Sequence, residues 1–155
     1  MSQQNNQPVN EISESKPREH QNFDPMTAPL VGANLIEASA GTGKTYSIAI
    51  LALRLIIEEN IPIDKILMVT FTRDAAAEME LRVRNFIREG LQILKIISDG
   101  GENFEGLDSQ IVEMLKANKD LQETQQRLKF ALVQFDKAAI YTIHSFCSKY
   151  LIVVL

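Results

Sequence analysis

Eight consecutive residues, Ala38-Ser39-Ala40-Gly41-Thr42-Gly43-Lys44-Thr45, fit the phosphate-loop pattern, with Ala in place of its first Gly. Gly41 and Gly43 let the backbone turn sharply, so that successive amides point inward at phosphate oxygens. Lys44 is placed to reach the β- and γ-phosphates, and the Thr45 hydroxyl to ligate Mg²⁺. Ala38 to Thr45 are therefore candidate ATP-binding residues, with Lys44 and Thr45 as the catalytic candidates and Thr45 as the metal ligand. A strand before the loop and a helix after it separate this reading from a chance glycine turn.

Both elements are legible. Asn34–Ala38 reads as a short buried strand, and Lys44 to about Asn60 as a helix with apolar residues at Ile48, Leu51, Ala52, Leu55 and Ile56. Arg54 and Glu58 fall off that stripe, and Pro62 marks the end. Lys65–Thr70 is a continuous apolar run, as expected for a strand covered on both faces. Ala75 to about Lys95 is a second helix on the stripe Ala76, Met79, Val83, Phe86, Ile87 and Leu91, broken by Ser98 to Gly101. Asp108–Val133 reads as one or two further helices, Ala138–Thr142 as a third strand, and His144 to about Leu151 as another helix. This order, with the phosphate loop after its first strand, predicts an incomplete α/β domain of P-loop NTPase type, a parallel sheet flanked by helices. A sheet with strands still missing has one face uncovered.

Each predicted strand runs into a polar segment: SAGTGKT, TFTRDA and TIHSFC. In an open parallel sheet such segments share the carboxyl edge, where ligands bind. The hydroxyls there suit phosphates without regard to base sequence, and Phe71 or Phe146 offers a ring for stacking worth about 1 to 3 kcal/mol. Plainer roles stand beside these: core packing for both phenylalanines, a helix cap for His144, and a small buried hydrophobe for Cys147. Arg82, Arg84 and Arg88 alternate with Glu78, Glu80 and Glu89, which reads as a solvated face with weak ion pairs.

The bulk numbers set limits. With 155 residues and 45% apolar content the chain suits one domain. Its 16 basic and 20 acidic residues give a net charge of -4, which excludes a uniformly basic nucleic-acid coat but not a local positive groove. The single cysteine excludes an internal disulfide, and with two scattered histidines gives no zinc-ligand spacing. Residues 1–26 read as a flexible polar tail and 27–155 as the folded part. No signal peptide or membrane span is visible, so a cytoplasmic protein without membrane contact is expected.

LIEASAGTGKT, VTFTRDAAAEMELRVR and AIYTIHSFC, in that order, resemble the first motifs of the UvrD/Rep superfamily of helicases, over about residues 23–151. The wording of the first, with FDPMTAPLVGANL before it, resembles the RecB-like group (exodeoxyribonuclease V beta subunits). The resemblance implies an ATP-driven motor moving 3′ to 5′ on single-stranded DNA, loaded at duplex ends, built from two RecA-like domains. For the RecB-like group it further implies an exonuclease domain, RecC- and RecD-like partner subunits, and a role in double-strand break repair and recombination. It marks Thr70, Phe71 and Thr72, then Thr142, His144, Ser145 and Phe146, as DNA-contacting.

The acidic pair that such a motor needs for Mg²⁺ and water does not follow any apolar run; IISDG and VQFDK come nearest and lie in helical pattern. The adenine-reading glutamine has only Gln21 as a candidate. The chain is thus expected to be a truncated amino-terminal part of a UvrD-like ATP-binding domain. An AddA-like or Rep-like helicase, or a non-catalytic P-loop fragment, is the alternative.

Overall fold

A computed structural model describes residues 23–37 and 43–151. Five helices are present there: α1 (Lys44–Ile57), α2 (Arg73–Ser98), α3 (Ser109–Lys116), α4 (Leu121–Val133) and α5 (Ile143–Leu151). Two strands, β1 (Leu67–Thr70) and β2 (Ala139–Thr142), pair in parallel with Leu67 opposite Ala139 and Thr70 opposite Thr142. A parallel pair needs a long crossover, and here α2, α3 and α4 supply it.

Local chemistry sets the helix bounds. Thr72, Asp108 and Asp120 each accept a backbone N–H of the following turn, so α2, α3 and α4 all start on a side-chain cap. α1 ends where Asn60 takes the left-handed conformation at φ 52° and returns the Ile61 N–H to the Leu55 carbonyl. Gly100, at φ 74°, does the same work after α2, with its N–H on the Ile97 carbonyl.

α2 is the organising element. Its buried face, including Met79, Val83, Phe86, Ile87, Ile93 and Leu94, meets α1, α3, α4 and both strands. At Gly90 the packing is closest: a Cβ there would lie 2.9 Å from Leu128 Cδ1 and 3.7 Å from Leu115 Cδ1. A mid-helix glycine costs about 1 kcal/mol against alanine. The burial of Leu115 and Leu128 against it, ~2 kcal/mol each, offsets that cost.

Several expectations are corrected. Asn34–Glu37, the described part of the expected first strand, has no strand pairing, and Leu35 is 80% exposed. Among the described residues the sheet is only β1 and β2, and no third backbone gives Asn34–Glu37 a ladder. The second strand is shorter than Lys65–Thr70, because Ile63–Lys65 closes into a 3₁₀ turn. Nor is it covered on both faces: Met68 is buried under the helices while Leu67 and Val69 are 50% and 43% exposed. The expected uncovered sheet face is this one.

Arg54, expected on the outer face of α1, is buried. Its guanidinium donates to the Pro25 and Ala28 carbonyls at 2.8 Å each, and to both Glu58 carboxylate oxygens at 2.7 and 3.0 Å. It thereby binds the Asp24–Ala28 turn to the helix. Packed structure accordingly begins before the tail boundary expected at Met26; residues 1–22 lie outside the described residues. Exchanging Arg54 for Met should cost about 2 to 4 kcal/mol, since it strands two carbonyls and a carboxylate. Glu58→Gln, at a more exposed position, should cost under about 1 kcal/mol. Urea unfolding of the two variants side by side checks this, and equal losses would show that Arg54 does not hold the turn.

Candidate nucleotide and nucleic-acid site

Three of the expected phosphate-loop residues lie among those described. Gly43 stands at φ 80° immediately before α1, a conformation that only glycine adopts readily. Lys44 opens the helix in an exposed position and Thr45 follows half-buried. The first turn carries no acidic residue and no side-chain cap, so its N–H groups face outward with the positive end of the helix dipole. Ala38, Ser39, Ala40, Gly41 and Thr42 lie outside the described residues, as does Gln21.

The helix behind these groups is firmly rooted. Ala49, Ile50 and Leu53 are fully buried. One residue past Thr45, the Tyr46 ring meets Phe86 edge-on at 5.5 Å and its hydroxyl donates to the Asp108 carboxylate at 2.9 Å. Burial and the carboxylate both push this hydroxyl well above its ordinary pKa, so it remains a donor at any physiological pH. Asp108 also caps α3, and its own N–H is held by Glu89 of α2. Glu89 therefore leaves the solvated face on which its sequence pattern placed it. Sequence alone did not reveal this bracket, because its partners lie far apart in the chain.

The two post-strand segments are brought together by the sheet. Thr70 and Thr142 are register partners, so TFT and TIHSF leave the same edge side by side. Among the described residues no hydrogen bond joins Lys44 or Thr45 to either segment.

Much of their hydroxyl chemistry is local. Thr70 Oγ1 donates to the Thr72 carbonyl at 3.1 Å, and Thr72 Oγ1 accepts the Ala75 N–H at 3.1 Å. That cap uses a lone pair of Thr72 and leaves its proton free. Thr142 and Ser145 form a reciprocal cap: Thr142 Oγ1 accepts the Ser145 N–H at 3.0 Å, and Ser145 Oγ accepts the Thr142 N–H at 2.9 Å. Ser145 Oγ donates in turn to the Thr142 carbonyl at 3.0 Å.

Phe71 is 87% exposed, which excludes core packing for it. Phe146 is half-buried against Tyr141 and Tyr150. His144 is exposed and does not cap α5; Thr142 does. Cys147 is a free, half-buried thiol. Among the arginines of α2, Arg82 pairs with Glu78 at 3.2 Å as the alternation suggests. Arg84 pairs with Glu80 at 3.5 Å in the same way, and also stacks over the Phe135 ring at 4.3 Å and reaches Asp136 at 3.3 Å.

The donor set fits a magnesium nucleotide in one respect only. Thr45 offers a single hydroxyl beside a lysine at a helix amino terminus, which suits an ion shared with phosphate oxygens. Among the described residues no group of three or more His, Cys, Asp or Glu could hold a metal by itself.

Comparison with known proteins matches the UvrD/REP helicase N-terminal domain to residues 19–153. The chain is 38% identical over 136 residues to the RecBCD enzyme subunit RecB of Haemophilus influenzae, covering 83% of this chain and 11% of that protein. Against RecB of Escherichia coli identity is 39% over 138 residues, again 83% and 11%. For RecB of Mycobacterium tuberculosis it is 39% over 119 residues, covering 76% and 10%. The chain thus spans about a tenth of the length of these relatives. With the match running through α1, both strands and the segments that follow them, the chain belongs to the UvrD/REP helicase N-terminal domain family.

Proposed function

We propose that this chain is the ATP-binding portion of a RecB-like, ATP-dependent 3′–5′ DNA helicase and exonuclease subunit. Its setting is double-strand break repair and recombination in the cytoplasm, with RecC- and RecD-like subunits as partners. Residues 27–155 form part of the first motor domain, of P-loop (RecA-like) fold, and the polar tail before it is shorter than 1–26, since Arg54 binds the Asp24–Ala28 turn to α1. The observation that carries this reading is the left-handed Gly43 leading straight into Lys44 and Thr45 at an uncapped helix end.

Ala38 to Thr45 wrap the triphosphate in this reading. Lys44 supplies the charge that holds its outer phosphates, and Thr45 contributes one oxygen to Mg²⁺. When bound, Mg²⁺ neutralises charge on the phosphate oxygens. The Tyr46–Asp108 bracket keeps the helix end from shifting as that charge is drawn in. Thr70, Phe71, Thr72, Thr142, His144, Ser145 and Phe146 line the single-stranded DNA path. Among them the exposed Phe71 ring, the free Thr72 proton and His144 act directly. The Thr142–Ser145 pair acts chiefly by fixing the backbone that presents His144.

Lys44→Ala in the full-length protein should abolish DNA-stimulated ATP turnover and change folding stability by no more than about 0.5 kcal/mol, because Lys44 is exposed. Turnover at the parental rate would sink the assignment of the loop. Phe71→Ala should weaken binding of single-stranded DNA roughly fivefold or more without a stability loss. Fluorescence anisotropy with an oligo(dT) probe reads this out, and unchanged affinity would remove Phe71 from the DNA path.

A further inference from the structure

Tyr46 stands where α1 is tied to two other helices. It is the third residue of α1 and directly follows Thr45. Its ring meets Phe86 of α2 edge-on at 5.5 Å, and its hydroxyl lies 2.9 and 3.0 Å from the two Asp108 carboxylate oxygens and 3.0 Å from Gln110 Oε1. With one proton and three acceptors in reach, the hydroxyl favours the charged carboxylate. Asp108 is itself held in place. The Gln110 and Ile111 N–H groups donate to its carboxylate at 2.9 and 3.2 Å, and Glu89 of α2 accepts its own N–H. None of these residues belongs to the sheet, and every contact runs between α1, α2 and the start of α3.

We propose that Tyr46 is a positioning residue of the nucleotide site, whose bond to Asp108 sets the affinity for a magnesium nucleoside triphosphate rather than the rate of its hydrolysis. The proposal rests on the reading of the phosphate loop given above. With Gly43 as N-cap, the N–H groups of Lys44, Thr45 and Tyr46 precede the first intrahelical bond, from the Ser47 N–H to the Gly43 carbonyl at 2.9 Å. Tyr46 therefore turns its backbone toward the phosphate while its side chain is fixed to α2 and α3. Among the described residues no side-chain cap holds that turn. The Tyr46 anchor is what keeps the three donors and the Thr45 hydroxyl in one arrangement before a phosphate arrives. Preorganisation of this kind acts on binding. The effect is reciprocal, so a phosphate bound on the turn tightens the Tyr46–Asp108 bond and the α3 cap behind it.

The test titrates ATP with Mg²⁺ into the full-length protein by calorimetry and follows steady-state turnover. Tyr46→Phe keeps the ring against Phe86 and removes only the hydroxyl. It is expected to raise Kd and KM for ATP about fivefold or more and to leave kcat within about twofold. Asp108→Asn, which keeps a capping oxygen for α3, is expected to weaken ATP binding too, and the double variant to lose no more than Tyr46→Phe alone. Hydrogen exchange supplies a readout that a plain loss of stability would not move: ATP should slow exchange at the Gln110 and Ile111 N–H groups in the parent and not in Tyr46→Phe. A parental KM in Tyr46→Phe, or additive losses in the double variant, while Lys44→Ala still loses turnover, overturns the role of Tyr46 and leaves the phosphate loop standing. If Lys44→Ala matches the parent in both binding and turnover, both fall together.

Discussion

The parallel pairing of β1 with β2 is the constraint on which the rest of this structure depends. Two parallel strands cannot be joined by a hairpin, so the chain between them must cross over, and α2, α3 and α4 do so while burying the Met68 face of the sheet. The same pairing sets Thr70 beside Thr142 at one edge. α2 begins three residues after Thr70 and α5 one residue after Thr142. Two helix amino termini therefore emerge together, each with its positive end at the edge. The placement of polar segments after strands is a geometric consequence of the crossover.

Helix α2 turns that constraint into a stable body. Its cap at Thr72 is the last residue of the post-strand segment, so the residue that starts the helix also helps to form the candidate DNA path. Thr142 does the same for α5. A capping hydroxyl at such a position contributes about 1 kcal/mol to the helix and holds the backbone in one conformation. Threonine and serine at these positions therefore have a structural reason to be present, independent of any phosphate. What remains for a ligand is what the caps leave over: the Thr72 proton, the exposed His144 and the Phe71 ring, which is too open to be part of the core.

The legible parts of the sequence were those with local signals. Continuous apolar runs located β1 and β2, and helical spacing located α1, α2 and α5 within a few residues, while α3 and α4 were read together as one or two helices over Asp108–Val133. The α2 stripe was read in part: Met79, Val83, Phe86 and Ile87 are buried as expected, and Gly90, Ile93 and Leu94 extend the buried face past them, because α1, α3, α4 and both strands pack along the helix. The α1 stripe was read less well. Arg54 has a guanidinium that only the Asp24–Ala28 turn can satisfy, and nothing within the helix announces that turn. Asn34–Glu37 has the composition of a buried strand, but composition cannot supply a neighbouring backbone. The candidate phosphate-loop residues Gly43, Lys44 and Thr45 stood out through their spacing.

Charge distribution explains how a chain of net charge -4 is compatible with grip on a polyanion. On α2 the glutamates are largely occupied with arginines or with the backbone: Glu78 with Arg82, Glu80 with Arg84, Glu89 with the Asp108 N–H. Glu123 is likewise paired with Arg127 on α4. These pairs are short-ranged and mostly neutral when viewed from a distance beyond the Debye length of about 8 Å at physiological salt. At the sheet edge the balance differs. Arg73 and two helix amino termini lie there, against Asp74 in the first turn of α2. The field that an approaching strand meets is set by that local excess, not by the sum over the chain. A few phosphate contacts with unpaired cations, backed by rings that stack on any base, are sufficient for binding that is independent of sequence and sensitive to salt.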